Sequence, residues 1–129
     1  MLRIYPHEED IDIQKLEQTL QITHGGPNIV SISQPEDLTE GPYCVIFSYE
    51  EEPKDFDERV DKQGEAIQRA ITWLKNTSAE QINEVRGTLG LKLDMLLSLG
   101  VFHLSIPLEL IQELNRLKIE VLVMHICPK

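Results

Sequence analysis

The sequence predicts an α+β fold, a two-layer sandwich in which a mixed, mainly antiparallel sheet carries helices on one face. Two observations predict it. Short apolar segments with a two-residue period alternate along the chain with longer segments whose apolar residues recur every three, four or seven positions. The 129 residues, 41% of them hydrophobic, suit one domain spanning residues 1–129 with a single core and no need of disulfides or a structural metal.

The elements follow in order. Leu2 and Ile4 alternate with Arg3 and Tyr5, a half-buried strand closed by Pro6. Asp10 or Asp12 caps a helix whose Ile13, Leu16 and Leu20 share one face, and His24-Gly25-Gly26-Pro27 stops it. Asn28 to Ser33 reads as a second strand, and Tyr43 to Tyr49 as a third with both faces largely covered. Asp55 with Glu58 opens the longest helix, along which Phe56, Val60, Ile67, Ile71 and Leu74 form a stripe flanked by Trp73, with Gly64 as a point of bending. Thr77 with Glu80 starts a shorter helix that ends at Gly87. The alternation from Leu91 to Leu99 makes a fourth strand, and Gly100 turns it into a hairpin with Val101 to Ile106. Pro107 opens a helix through Leu110, Leu114 and Leu117. Ile119 to Cys127, apolar on both sides, reads as a strand of the sheet interior.

The resulting order, β-α-β-β-α-(α)-β-β-α-β, begins with the β-α-β-β-α-β of a ferredoxin-like core and appends a further β-α-β. Such a layout resembles that of many small bacterial domains and of several toxin-neutralising immunity proteins. No motif in the chain is specific to one family, and a shared layout does not carry function.

Charge narrows the classes of partner. Residues 1–58 hold 14 acidic and 3 basic side chains, whereas residues 59–129 hold 8 and 9, so the formal net charge of -10 lies entirely in the first half. A field of that sign repels phosphates, which disfavours nucleic acid and anionic membranes and makes a basic protein the natural complement. With an acidic N-terminal stretch in place of a signal peptide, and Cys44 and Cys127 far apart, the chain is expected to be cytoplasmic and free of disulfides.

Two sets of residues are candidates for function. The first is a partner-binding surface of three acidic clusters, Glu8, Glu9, Asp10 and Asp12, then Glu36, Asp37 and Glu40, then Glu50, Glu51 and Glu52. None has the spacing of a calcium loop, so the expectation is a contact surface for a basic protein or a solvated face. The second is a pocket near the C-terminal strand, where His125 and Cys127 lie two apart and Cys44 and His103 join them if the strand order permits. Two ligands do not make a metal site, and a buried thiol or a solvent-facing imidazole accounts for each of these residues. No cofactor and no metal are expected. His24-Gly25-Gly26-Pro27 follows a helix where a phosphate loop follows a strand, Gly87-Thr88-Leu89-Gly90 has only the spacing of an RNA-binding loop, and Asn76-Thr77-Ser78 is helix-start chemistry.

The expected function is therefore a non-enzymatic interaction module, an immunity or antitoxin type protein being one concrete form. A small-molecule-binding or enzymatic domain is the alternative, and a homo-oligomer paired through a sheet edge is the remaining partner expectation.

Overall fold

The computed structural model describes residues 1–6, 11–48, 51–99 and 106–125. In chain order the elements are β1 (Leu2–Pro6), α1 (Ile13–Leu20), β2 (Ser31–Ser33), β3 (Tyr43–Ile46), α2 (Phe56–Lys75), α3 (Ala79–Gly87), β4 (Leu91–Leu99), α4 (Leu108–Arg116) and β5 (Glu120–His125). The fold is α+β, with a five-stranded mixed sheet in the order β2-β3-β1-β4-β5. The first three pairings across that order are antiparallel and the last, β4 with β5, is parallel. A parallel pair needs a crossover, and α4 supplies it.

Period-two patterning sets the faces. Leu91, Leu93, Met95 and Leu97 of β4 are buried, while Lys92 and Ser98 of the other parity are exposed. Leu2, Ile4, Tyr43 and Val45 join the same core, to which the helices contribute Leu16, Ile71, Ile82 and Leu110. The other parity lines up Ser33, Cys44, Arg3, Asp94 and Glu120 in one row across all five strands.

Local chemistry fixes the helix ends. The Asp12 carboxylate accepts from the Gln14 amide at 2.9 Å, and that of Asp55 from the Glu58 amide at 2.8 Å, each satisfying a donor of the first turn. Ser78 caps α3, one residue beyond the expected Thr77, through a reciprocal box with Gln81. Thr77 is instead buried and donates to the Trp73 carbonyl at 2.9 Å. Two arginines close the far ends. Arg116 donates to the carbonyls of Leu74 and Thr77 at 2.9 and 3.0 Å, tying α4 to the end of α2, and Arg86 donates to the Leu117 carbonyl at 2.7 Å.

Some expectations change. β5 stands at an edge of the described sheet, not inside it, and Val121 to Met124 are each 41 to 48% exposed. An apolar run on both faces has the same pattern for an interior strand and for an uncovered edge, so patterning alone does not separate them. β4 is flanked by β1 and β5, and most of the hairpin partner expected at 101–106 lies outside the described residues. The α2 stripe begins later than its spacing suggested: Phe56 is 61% exposed, and Gln63 is the first buried residue of the helix.

Candidate functional site: an acidic groove along the first helix

α1 turns Ile13, Leu16 and Leu20 into the core, which leaves Gln14, Glu17, Gln18 and Gln21 on its outer side. The helix ends when Gln21 adopts a left-handed conformation, φ 53°, and the Ile22 amide bonds back to the Glu17 carbonyl at 2.9 Å. Gly25, at φ 77°, continues the reversal toward β2. The chain leaving β2 then returns as Gln34-Pro35-Glu36 beside the polar face of α1. Between them lies an open groove of about 700 Å³, whose lining residues include Asp12, Glu17 and Glu36 together with Gln14, Gln18 and Gln34. No lysine or arginine is among its lining residues.

Glu17 is the best-anchored of these carboxylates. Its Oε2 lies 2.5 Å from Nε2 of His24. Below it the Tyr43 hydroxyl is fully buried without a hydrogen-bond partner. Burial, and then the nearby Glu17 charge, push its pKa well above the usual tyrosine range.

The acidic candidates thus divide. Asp12 and Glu36, drawn from two different clusters, are brought to one groove. Asp37 is turned onto its own loop, where Oδ1 accepts from the amides of Thr39 and Glu40 at 2.9 and 3.2 Å and from the Thr39 hydroxyl. The Thr39 hydroxyl first, and then the two amides, hold its carboxyl below the ordinary value. Glu40, Glu51 and Glu52 are exposed. Glu8, Glu9, Asp10 and Glu50 lie outside the described residues.

Of the pocket candidates, Cys44 is 8% exposed on β3 and residue His125 ends β5. β1 and β4 stand between those strands, which places Cys44 and His125 about 14 Å apart across the sheet before their offset along the strands is added. Burial pushes the Cys44 thiol up, away from the reactive thiolate. His103 and Cys127 lie outside the described residues. Among the described residues no group of three or more His, Cys, Asp or Glu is placed to hold a metal ion, and no helix is long and apolar enough to cross a membrane.

The groove was missed in the sequence although a signal was present. Gln14, Glu17, Gln18 and Gln21 recur at i, i+3, i+4 and i+7, an uninterrupted stripe of acceptors without a cation. No protein-family model, curated protein or solved structure matches this chain.

Proposed function

We propose that the chain is a non-enzymatic protein-interaction module whose groove along α1 takes a basic segment of a partner protein. The observation that carries this reading is the convergence of Asp12, Glu17 and Glu36 on one groove with no cation among its lining residues. Carboxylates and amide oxygens are acceptors, and a lysine or arginine side chain brings donors and the opposite charge. A cytoplasmic immunity or antitoxin protein is one concrete form of such a module. The strand order β2-β3-β1-β4 and its antiparallel pairings support reading the first part of the chain as a ferredoxin-like core with an appended α4-β5 unit.

The test uses a fluorescent lysine- and arginine-rich peptide and the full chain at low and moderate salt. Binding should weaken with salt, because exposed charges are screened beyond about 8 to 10 Å. The variants Glu36→Gln and Gln18→Lys should each weaken it several-fold, the second by placing a cation in the groove. Equal binding by wild type and both variants, with folding confirmed by circular dichroism, would return the acidic groove to a solvated surface.

A further inference from the structure

β5 joins three properties that seldom occur together on an isolated strand. Among the described residues it pairs only with β4, and no described strand meets the backbone donors and acceptors of its other edge. Its four consecutive residues Val121, Leu122, Val123 and Met124 are 41 to 48% exposed. Neither proline nor lysine, two of the residues that keep strand edges apart, lies between Glu120 and His125. The opposite edge of the sheet, β2, is three residues long with serine at both ends.

We propose that β5 is a homodimer interface, in which two copies of this chain pair antiparallel about a two-fold axis through Leu122 and continue the sheet from one copy into the other. The occupant is a second copy because the strand is self-complementary in that register. Residues directly opposite each other on antiparallel strands share a face, so the axis sets Leu122 against Leu122 and Val121 against Val123 twice, apolar on apolar on each face. Glu120, the one carboxylate of the strand, falls opposite Met124. The two Glu120 residues are then four positions apart, about 14 Å along the ladder, farther than charges act through physiological salt. The larger charge pattern agrees, because the acidic excess lies in residues 1–58 and β5 belongs to the half with 8 acidic and 9 basic side chains. A six-residue strand pair covers less than the roughly 800 Å² per partner of a standard interface, so the expected association is a weak one that depends on concentration. The acidic groove flanks the chain leaving β2, at the other edge of the sheet, so the two proposals stand or fall separately.

Sedimentation of the full chain from low micromolar to about 0.5 mM reads the equilibrium over the relevant range of dissociation constants. Wild type should pass from monomer to dimer. Leu122→Glu and Leu122→Lys should each remain monomeric at concentrations at least tenfold above the wild-type midpoint, and their equimolar mixture should dimerise again. Leu122 is half exposed, so neither change disturbs the core, and thermal melts verify that both variants fold. Register is tested by oxidation: Leu122→Cys should form an intermolecular disulfide faster than wild type, whereas Glu120→Cys should not, its copies being too far apart to bridge. A wild type that stays monomeric at about 0.5 mM overturns the proposal, whether another part of the chain or a different protein covers β5. So does a dimer that survives both Leu122 charge variants, or one that Glu120→Cys cross-links as readily as Leu122→Cys.

Discussion

Arg3 and Asp94 face each other on adjacent antiparallel strands and meet fork to fork, Nε to Oδ1 at 2.8 Å and Nη2 to Oδ2 at 3.1 Å. The Tyr5 hydroxyl donates to the same Oδ2 at 3.0 Å, and the Arg3 guanidinium lies 5.4 Å from the centre of the Tyr5 ring. One carboxylate therefore serves three donors on β1. Asp94→Ala should destabilise the protein by about 1 to 2 kcal/mol, because it strands a part-buried guanidinium and a phenol together. Replacing Arg3 and Asp94 together by Met and Leu should cost less than the single change, since no charge is then left unpaired. Urea denaturation of the wild type and the two variants gives the comparison.

The same carboxylate sets a pH limit. Burial first, and then the hydrogen bond to Asp94, push the Tyr5 pKa from 10.0 up to about 12. A group whose pKa is raised on folding stabilises the native state fully below its unfolded value, and that contribution is lost as the pH rises through the folded value. Stability linked to Tyr5 should thus be constant below pH 10 and fall between pH 10 and about 12. Phenolate absorbance followed against pH in wild type, Tyr5→Phe and Asp94→Asn checks this. Of the two late-titrating phenols, Tyr5 and the buried Tyr43, that of Tyr5 should vanish in the first variant and titrate earlier in the second, while that of Tyr43 remains in both.

Two glycines should respond to alanine with opposite sign. Gly90 joins α3 to β4 at φ 66°, and although a Cβ there meets no atom within 4 Å, the left-handed backbone itself resists a side chain. Gly90→Ala should cost about 1 kcal/mol or more. Gly64 lies inside α2, where a Cβ also meets nothing within 4 Å, so Gly64→Ala should stabilise by about 0.5 to 1 kcal/mol. Chemical denaturation midpoints separate the two outcomes.

Ile71, 2% exposed, sits in the core cluster with Trp73, whose ring lies 5.8 Å from that of Phe47. Ile71→Asp should destabilise by several kcal/mol, because a carboxylate there has neither water nor a partner. Tryptophan emission should shift toward that of the unfolded chain at a much lower denaturant midpoint. An unchanged midpoint would mean that this face of α2 does not bear on the core.

What the sequence made legible was local. Asp12, Asp55 and Gly87 mark helix ends because capping is decided within one turn, and β4 is readable because its alternation runs for nine residues. Ser78 displaced Thr77 as a cap because two adjacent hydroxyls offer the same chemistry, and burial of one selects the other. The position of β5 was not legible, since edge and interior differ in which strands arrive as neighbours and not in the strand's own pattern. Nor was the meeting of Asp12 and Glu36 at one groove, which depends on the chain leaving β2 bringing residue 36 back beside the helix.

The placement of β1 between β3 and β4 also governs when the sheet can form. Both partners follow β1 in the chain, and Arg3 and Asp94 are 91 positions apart. During synthesis the apolar residues Leu2 and Ile4 wait, with one strand edge unsatisfied, until the 91 positions that separate Arg3 from Asp94 have been added, whereas β4, α4 and β5 close on one another over a short span. A chain arrested before β4 has its central strand unpaired on one side, and such an edge is a template for pairing with other strands.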